Sequence, residues 1–339
     1  MSLNNRIDSF IQLGKFLRNP ENQEEIETWA DNAVHTNNWF TPENTRQSLK
    51  ALAEIYLDEK HLNTWAGLYE IPDRQMQVKS IGVIMAGNIP AVGFHDLLTI
   101  VISGHACVAK VSSQDNVLMT ALINKLLEIN PSLDIRISEQ MKEIDALIAT
   151  GSDNTSRYFE YYFRNKPHII RKNRSSVAIL NGQENTEELN SLGKDITAYY
   201  GLGCRNISKM YVPKGYKFDH FYQSIESLSE VIQHNKFQNN YDYNRSIYLV
   251  NGVPHFDNGF LMITENEALV SPISVLFYET YENAEELNTK IDENLEKIQC
   301  MVSQNAWFKN SLPFGQSQSP KLWDYADGVD TMQFLLELK

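Results

Sequence analysis

The sequence predicts an α/β fold in which a helical N-terminal region precedes a helix-covered parallel sheet and then a second α/β domain. Through residues 1–72, apolar residues recur at three- and four-residue intervals, which is the period of an amphipathic helix. Through residues 78–182, short apolar runs alternate with helical segments, as is typical of parallel strands joined by helices. From residue 184 onward the alternation resumes, and this predicts the second domain.

The N-terminal region contains three predicted helices, and the third has the clearest start. Their sequences are "RIDSFIQLGKFL", "NQEEIETWADNAV" and "TPENTRQSLKALAEIYL". Thr41 supplies a hydroxyl that can cap backbone N–H groups, and Pro42 suits the first helical position because its φ is already helical. We therefore expect a helix to begin at Pro42.

The predicted parallel sheet is built from short apolar runs that end in turn residues. The predicted strands are "KSIGVIMAG", "HACVAKVSS", "ALIATGS" and "SSVAILNG", and the helices between them are "PAVGFHDLLTIVISG", "NVLMTALINKLLEIN" and "NTSRYFEYYFRN". Sheets of this kind bind ligands at the carboxyl ends of their strands. The residues that follow each strand are therefore the first candidates for function.

The second domain begins with the helix "NTEELNSLGKDITAYYGLG", which leads directly to Cys204. The predicted strands after it are "KMYVPKG", "SIYLV", "SPISVLFYET" and "QCMVSQNAWF", and "DHFYQSIESLSEVIQ" is a predicted helix. We expect these segments to form a sheet of their own.

Charge and hydropathy exclude several classes of partner. The chain has 30 Lys and Arg against 43 Asp and Glu, and its net charge is -13. Nucleic acids and anionic membranes both require clustered basic residues, so neither is an expected partner. No segment reaches the run of about 18 apolar residues that a membrane span requires, and the N-terminus lacks the pattern of a signal peptide.

The cysteines point to a reducing environment. The sequence contains three of them, Cys107, Cys204 and Cys300. An odd number scattered over a long chain argues against a disulfide framework, and the spacing is unlike that of zinc ligands. We expect a cytoplasmic protein without a bound metal.

Polar residues follow three of the predicted strands. Asn88 follows the first strand, Lys110 ends the second, and Gly151 and Ser152 follow the third. An amide, a lysine and a helix N-terminus can each bind a ligand or an anion. Each also has a structural interpretation, as a turn, a solvated lysine or a helix cap. Taken one at a time, these signals do not decide between the two.

Cys204 is the fourth local signal. It lies between Gly201 and Gly203 on one side and Arg205 on the other. Glycines allow a tight turn and a close approach to a ligand, and a cation or helix N-terminus beside a cysteine favours the reactive thiolate. A free cysteine is more often a small buried hydrophobic residue. The local sequence leaves both interpretations open.

Five segments, in order, resemble the aldehyde dehydrogenase superfamily. They are "MAGNIPAVGFHDLL", "GHACVAKVSSQD", "ATGSDNTSRYF", "GLGCRNISKMYV" and "SLPFGQSQSPKLWDYADGVDTMQFLLEL". More narrowly, the chain resembles the acyl-CoA reductase branch typified by the fatty-acid reductase of bacterial luminescence systems. The resemblance covers residues from about 75 to the C-terminus and implies a Rossmann-type parallel cofactor domain followed by a second α/β catalytic domain.

The resemblance also implies site residues. It makes Cys204 the nucleophile and Asn88 a donor in the oxyanion hole. It places Lys110 at the adenosine ribose, with Ser112 and Ser113 beside it. Gly151 and Ser152 correspond to the family's turn at the cofactor.

The implied domains follow from these motifs. Residues 1–75 form a helical region packed on the cofactor domain, which is the dinucleotide-binding domain of residues 76–183. Residues 184–312 form the catalytic domain. Residues 313–339 form a C-terminal segment with a closing strand that serves interdomain or subunit contacts, so the resemblance implies a homo-oligomer or a complex with an acyl-donating enzyme.

The sequence departs from the family pattern at several positions. Arg171 stands where hydrolytic members carry the glutamate that activates water, so the resemblance implies a reductase. Residues 111–113 lack the acid that binds a ribose 2′-hydroxyl, which favours NADPH over NADH. Ser156 replaces a glycine of the cofactor turn. The family's ribose-binding glutamate falls at Ala268, one residue from Glu267, and neither is assigned.

These inferences predict an acyl-CoA reductase. It would use NADPH to reduce a fatty acyl thioester, carried by CoA or a carrier protein and expected to be long-chain, to the aldehyde through an acyl-cysteine. Two alternatives stay open. One is an aldehyde dehydrogenase acting on another aldehyde or thioester, and the other is a non-catalytic homologue that binds acyl chains or serves as a scaffold.

Overall fold

The computed structural model describes residues 1–151 and 153–338, without the side chains of residues 153 and 154. The chain divides into two compact units. The first unit comprises Met1–Asn173 together with Lys321–Lys339, and the second comprises Arg174–Pro320. The division after Asn173 differs from the expected boundary at residue 183, and the chain returns to the first unit at its C-terminus.

Helices and strands alternate after a helical beginning, as expected. The helices are α1 (Leu3–Arg18), α2 (Gln23–Thr36), α3 (Pro42–Ala51), α4 (Glu59–Ala66), α5 (Phe94–Ser103), α6 (Asn116–Ile129), α7 (Asp153–Phe163), α8 (Thr186–Thr197), α9 (Asp219–Ile225), α10 (Asn235–Asn251), α11 (Ala284–Asp292) and α12 (Thr331–Leu336). The strands are β1 (Ser80–Ile84), β2 (Ala106–Lys110), β3 (Ile135–Ile137), β4 (Ala146–Thr150), β5 (His168–Arg171), β6 (Ser175–Ile179), β7 (Ile207–Pro213), β8 (Phe256–Asp257), β9 (Met262–Glu265), β10 (Val275–Tyr281), β11 (Ile298–Ser303) and β12 (Ser311–Pro313).

The N-terminal helices begin at side-chain caps. The Thr41 hydroxyl accepts a hydrogen bond from the Asn44 N–H at 3.2 Å, and Pro42 is the first helical residue. Asp58 caps α4 in the same way. Phe10 of α1 and Trp65 of α4 are fully buried in the same core as the sheet strands of this unit. The predicted helix start at Pro42 is confirmed.

The first unit contains a parallel sheet with strand order β3-β2-β1-β4-β5. Each neighbouring pair is parallel. The middle strands β1, β2 and β4 are buried, as expected for strands with helices on both faces. This confirms the parallel sheet. Strands β3 and β5 were not predicted from the sequence.

The second unit contains a sheet with strand order β12-β11-β6-β7-β10-β9-β8, in which β8 and β9 are antiparallel and the other pairs are parallel. The run "SSVAILNG", which we expected in the first sheet, forms β6 of this second sheet. A fully buried apolar run has no alternation that assigns it to one sheet or another, so the sequence could not place it.

Two sequence predictions of strands are wrong. The run "SIYLV" lies inside the helix α10, because a short apolar run fits either a strand or a helix. The C-terminal segment that was expected to form a closing strand is instead the helix α12. Asp330 caps this helix, because its side chain accepts a hydrogen bond from the Gln333 N–H at 2.9 Å. Met332 and Leu335 of α12 are fully buried in the first unit, so this segment completes the core of its own chain.

Two histidines hold the C-terminal segment against the first unit. His95 Nε2 lies 2.9 Å from the Leu322 carbonyl, and His105 Nε2 lies 3.1 Å from the Leu335 carbonyl. The Lys79 N–H donates to His105 Nδ1, so Nε2 carries the proton and donates to Leu335. Burial lowers the pKa of both imidazoles, which keeps them neutral donors at ordinary pH.

Within the part of the chain that the structure describes, no helix combines the length and the apolar character that crossing a bilayer demands.

Candidate functional site

The first unit collects several predicted site residues at one edge of its sheet. Strands β2, β1 and β4 are neighbours in the sheet. Lys110 is the last residue of β2, Asn88 lies in the loop after β1, and Gly151 follows β4. The carboxyl ends of parallel neighbours lie at the same edge, where α/β sheets bind their ligands. Lys110 and Asn88 are both half-buried there.

The loops after β1 and β2 touch each other at Gly87 and Ser112. A Cβ at Gly87 would lie 2.4 Å from Ser112 Oγ and 2.6 Å from Ser112 Cβ, so no larger residue fits without a shift. The Ser112 hydroxyl accepts a hydrogen bond from the Gln114 N–H at 3.3 Å. Ser113 is exposed. The structure therefore brings the segment that carries Asn88 together with the serines that follow Lys110.

Asp115, which no sequence motif indicated, holds the loop that carries Asn88. Its Oδ2 accepts a hydrogen bond from the Ala91 N–H at 2.8 Å. Ala91 has a φ of 57°, a left-handed conformation that costs a non-glycine residue free energy. The Ser48 hydroxyl donates to the Pro90 carbonyl at 2.7 Å. These bonds fix the turn from two sides.

The Asp115 carboxyl is itself unusual. It stands at the N-cap of α6, but its side chain makes no capping hydrogen bond. It is 2% exposed, and among the described residues its Oδ1 has no hydrogen-bond partner. Burial raises the pKa of Asp115 well above its usual value. The sequence signal resembled an ordinary helix cap, so it gave no reason to single this residue out.

The turn after β4 is close-packed. The Gly151 N–H donates to the Arg171 carbonyl at 3.3 Å. A Cβ at Gly151 would lie 3.1 Å from Thr155 Cβ, so the glycine lets the start of α7 approach the strand end. Ser152, predicted to bind the cofactor, lies outside the described residues. Ser156 is fully buried, so its side chain offers nothing to a ligand at the surface.

Arg171 is a core residue of the first unit. It is 4% exposed and ends β5. Its guanidinium donates to both carboxylate oxygens of Asp96, at 2.6 and 2.9 Å, and to the Thr331 hydroxyl at 2.9 Å. The side chain is therefore committed to joining α5, β5 and the start of α12.

Cys204 lies in the second unit, in a turn between α8 and β7. The chain reaches it through left-handed backbone at Tyr199, Tyr200 and Gly201, whose φ values are 48°, 59° and 79°. Left-handed conformations at non-glycine residues are typical of functional sites. At Gly201 the positive φ uses the conformational freedom that glycine was expected to give this turn. Gly203 is not among the positive-φ glycines of the described residues.

Asn206 builds the turn around Cys204. Its Oδ1 accepts the Gly203 N–H at 2.8 Å, and its own N–H donates to the Gly203 carbonyl at 3.0 Å. Its Nδ2 donates to the carbonyls of Asp195 and Ala198, at 3.0 and 2.8 Å. Asn206 is 3% exposed. A single buried amide therefore joins both ends of the turn.

The preceding helix α8 presents its carbonyl end to this turn, as the bonds from Asn206 show. A helix N-terminus, which would favour the thiolate of Cys204, is therefore not supplied by α8. Arg205 Nε donates to the Ser317 carbonyl at 2.5 Å. The arginine thus anchors the segment that follows Pro313, Phe314 and Gly315, which belong to the fifth of the segments that resemble the aldehyde dehydrogenases.

Asp195 anchors the same segment to α8. Its carboxylate accepts the Gly315 N–H at 2.6 Å and the Ser317 hydroxyl at 2.7 Å. Gly315 has a φ of 81°, which explains the glycine of the motif. Burial raises the pKa of Asp195. Two residues near Cys204 in sequence, Asp195 and Arg205, therefore position this loop within the second unit.

Ser176 of β6 joins Cys204 to a second cysteine. Its hydroxyl donates to the Cys204 carbonyl at 2.9 Å, and its oxygen accepts the Cys300 N–H at 3.2 Å. The Cys300 Sγ lies 3.1 Å from the same oxygen. Ser176 is fully buried. No local sequence pattern connects these residues, because they are far apart along the chain.

The three cysteines differ in exposure. Cys204 is exposed, Cys300 is half-buried, and Cys107 is fully buried in β2. Burial raises the pKa of the Cys107 thiol, and a buried, protonated thiol is inert. Cys204 is therefore the most accessible of the three.

The segment near Glu267 is held by its backbone. The Lys209 ammonium donates to the Glu267 carbonyl at 2.6 Å, and it also pairs with Glu279. The Glu267 side chain is exposed, as is that of Ala268. Across the described residues, no group of three His, Cys, Asp or Glu is arranged to hold a metal ion.

The fold is that of the aldehyde dehydrogenases. Indole-3-acetaldehyde dehydrogenase from P. syringae, solved with NAD+ and IAA, has a TM-score of 0.68 and 14% identity, covering 94% of this chain and 75% of that chain. An E. coli NADP dependent enzyme has a TM-score of 0.67 and 11% identity, covering 89% of this chain and 73% of that chain. A NAD-dependent benzaldehyde dehydrogenase from Corynebacterium glutamicum has a TM-score of 0.65 and 11% identity, covering 89% of this chain and 76% of that chain.

Fold and sequence together define the class: this is an aldehyde dehydrogenase-like α/β oxidoreductase that acts on acyl or aldehyde groups. The acyl-CoA reductase (LuxC) family matches residues 45–231, more than half of the chain. The chain belongs to this LuxC family, as the resemblance predicted. A search of curated proteins found no match.

Proposed function

We propose that this chain reduces a long-chain fatty acyl thioester to the aldehyde with NADPH, through an acyl-cysteine at Cys204. One observation carries the proposal: in a LuxC-family chain, the exposed Cys204 stands on a turn built by buried hydrogen bonds. A nucleophile must be accessible, and its position must be fixed against a reacting carbonyl.

In the first step the Cys204 thiolate attacks the thioester carbonyl, and the thiolate of CoA or a carrier protein leaves. The acyl group is then bound to Cys204 Sγ. We propose the Asn88 amide and the Cys204 N–H as donors to the oxyanion. The assignment of Asn88 rests on the sequence pattern. Loss of one such donor typically lowers kcat about 100- to 1000-fold.

The edge of the first sheet suits a nicotinamide dinucleotide. Lys110 supplies a cation at the end of β2, and the start of α7 follows the close turn at Gly151; both features suit phosphate groups. A bound nicotinamide supplies the hydride that reduces the acyl group. Breakdown of the resulting hemithioacetal restores the Cys204 thiolate and releases the aldehyde.

The choice of NADPH rests on the residues after Lys110. Val111, Ser112 and Ser113 carry no acid. The first acid to follow, Asp115, is buried and bonded to the Ala91 N–H, so it does not face a ligand. The 2′-phosphate of NADPH would therefore lie near the Lys110 ammonium and the hydroxyls of Ser112 and Ser113, and none of these residues carries a negative charge that would repel it. NADPH should give a higher kcat/KM than NADH.

Mass spectrometry of the intact protein tests the nucleophile. After incubation with a long-chain acyl-CoA and no reductant, the wild type should gain one acyl group, which peptide mapping should locate at Cys204. Cys204→Ala should gain none, whereas Cys107→Ala should match the wild type. NADPH added afterwards should release the aldehyde.

Two results would overturn the proposal. Turnover by Cys204→Ala at the wild-type rate would remove the acyl-cysteine from the mechanism. Faster formation of acid from aldehyde than of aldehyde from acyl-CoA would identify an aldehyde dehydrogenase. Absence of both reactions, with acyl-CoA still bound, would favour the non-catalytic scaffold.

A further inference from the structure

We propose that Cys204 and Cys300 form a second covalent site, in which Cys300 is the resolving thiol that closes a reversible disulfide when a peroxide oxidises Cys204. The inference rests on the proposed function in one respect only, that Cys204 is a reactive thiol. It adds a reaction in which the acyl thioester and NADPH take no part.

The sheet topology brings the two cysteines to the same place. Strand β6 lies between β11 and β7. Ser176 of β6 contacts Cys300 of β11 on one side and the Cys204 carbonyl, at the approach to β7, on the other. The Cys204 carbonyl oxygen and the Cys300 Sγ thus both lie within 3.1 Å of one hydroxyl oxygen.

Both ladders that flank Ser176 are irregular. In the β11–β6 ladder, Ile298 pairs with Ser175 and Met301 with Val177, with a register shift between them that contains Cys300. In the β6–β7 ladder, the register shifts between Ser176 and Val177. Bulges re-aim side chains and are concentrated beside active sites.

The shift has a visible consequence for Cys300. Its N–H donates to the Ser176 hydroxyl at 3.2 Å, and its Sγ lies 3.1 Å from the same oxygen. A regular strand would have continued the backbone ladder at this position. At the bulge, both the backbone N–H and the thiol of Cys300 therefore contact Ser176, whose hydroxyl also donates to the Cys204 carbonyl.

The exposures of the two thiols suit the two roles. Cys204 is exposed, so a peroxide can reach it. Cys300 is half-buried, so it is protected from direct oxidation but adjoins the turn. Redox-sensitive cysteines are accessible and are often placed next to a resolving cysteine. Cys107, fully buried in the other unit, can play neither role.

The chemistry balances with a peroxide as the oxidant. The Cys204 thiolate attacks one peroxide oxygen, the O–O bond breaks, and a sulfenic acid and hydroxide form. The Cys300 thiolate then attacks the Cys204 sulfur, the S–O bond breaks, and the hydroxide leaves as water. The two thiols together lose two electrons, which the peroxide gains. A dithiol reduces the disulfide by thiol–disulfide exchange, which restores both protein thiols and leaves the dithiol oxidised.

The consequence is protection of the nucleophile. A disulfide at Cys204 stops both acylation and further oxidation to the irreversible sulfinic acid. Oxidative inactivation of the wild type should therefore be reversible by dithiothreitol.

The test compares the wild type with Cys300→Ala and uses Cys107→Ala as the matched control. Each protein is treated with hydrogen peroxide and digested with trypsin without reduction. Cleavage after Lys194, Arg205, Lys297 and Lys309 isolates Cys204 and Cys300 in separate peptides, so a disulfide appears as one linked pair. The wild type and Cys107→Ala should give this pair and recover activity in dithiothreitol. Cys300→Ala should accumulate sulfinic acid at Cys204 and recover about tenfold less activity.

Sulfinic acid at Cys204 in the wild type, formed as fast as in Cys300→Ala, would overturn the inference. So would a linked pair that contains Cys107. Acylation of Cys204 is measured separately, without peroxide. A wild type that acylates but forms no disulfide refutes this inference alone, and one that forms the disulfide but never acylates refutes the proposed function alone.

Discussion

Arg171 and Asp96 form a bidentate ion pair in the core of the first unit, with both residues less than 10% exposed. The sequence resemblance places Arg171 where hydrolytic members of the superfamily carry a water-activating glutamate. In the structure the Arg171 side chain has a stabilising role, because its hydrogen bonds join β5 to α5 through Asp96 and to the C-terminal helix through Thr331. Restoring the acid would therefore disturb the core before it altered the chemistry.

Arg171→Glu should destabilise the protein by about 3–5 kcal/mol, because it leaves two carboxylates buried against each other. Urea unfolding measures this loss. Lys172→Glu is the matched control: Lys172 is the exposed next residue and pairs with Glu160 at 3.1 Å, and such surface pairs contribute about 1 kcal/mol or less. An Arg171→Glu protein as stable as the wild type, or one that gained hydrolysis of the acyl-enzyme, would contradict this account.

Asn206→Ala should impair the Cys204 turn. It removes the acceptor for the Gly203 N–H and the donor to the carbonyls of Asp195 and Ala198. A buried polar group left without a partner costs about 1–3 kcal/mol, and a displaced nucleophile lowers kcat.

Asn206→Asp distinguishes the acceptor role of the Asn206 side chain from its donor role. It keeps the acceptor for Gly203 but faces the carbonyls of α8 with an oxygen. The rate of acylation of Cys204 and the free energy of unfolding should fall in both variants. Unchanged acylation in Asn206→Ala would show that the turn does not depend on this residue.

Asp115 should make the stability of the protein depend on pH. Burial raises its pKa above the unfolded value, so the folded state holds the proton more tightly. The stability that comes from this tighter proton binding is fully present below the pKa of Asp115 in the unfolded chain, about 3.9. It is lost as the pH rises through the higher pKa of Asp115 in the folded protein.

Asp115→Asn replaces the carboxyl by an amide that does not titrate. The difference in unfolding free energy between the wild type and this variant should therefore shift in favour of the variant as the pH rises. Denaturant unfolding from pH 4 to pH 9 measures it. A difference that is constant over this range would rule out the titration.

His105 should make the C-terminal helix sensitive to acid. Burial lowers its pKa, so its contribution to stability is present above the unfolded pKa, about 6.5, and is lost as the pH falls through the folded value. The protection factors of the α12 amides, that is, the intrinsic exchange rate at each pH divided by the observed rate, should therefore fall between pH 7 and pH 5.

His105→Gln keeps a donor for the Leu335 carbonyl and should reduce this acid-induced loss of protection. His35→Gln is the control, because His35 is exposed on α2. Equal acid sensitivity of α12 in the wild type and His105→Gln would assign the effect to another group.

Much of this fold could be predicted from one sequence. Helix caps such as Thr41 and the apolar runs of β1, β2 and β4 are local signals, and the structure confirmed them. Pairing between strands is not local. The apolar run that forms β6 has the same composition pattern as the runs of β1, β2 and β4, but it pairs with β7 and β11 in the other sheet. The apolar run inside α10 fits a strand as well as a helix.

By itself, the sequence determined the family, the α/β class and the identity of the candidate nucleophile, because these depend on residue types in a fixed order. Only the tertiary structure decided what surrounds them. The Asp115 side chain accepts a hydrogen bond from the Ala91 N–H and makes no capping bond to its own helix. The Ser176 hydroxyl contacts both the Cys204 carbonyl and the Cys300 thiol. The reason is physical: hydrogen bonds and bulges join residues that are distant in the chain, and no local pattern records such contacts.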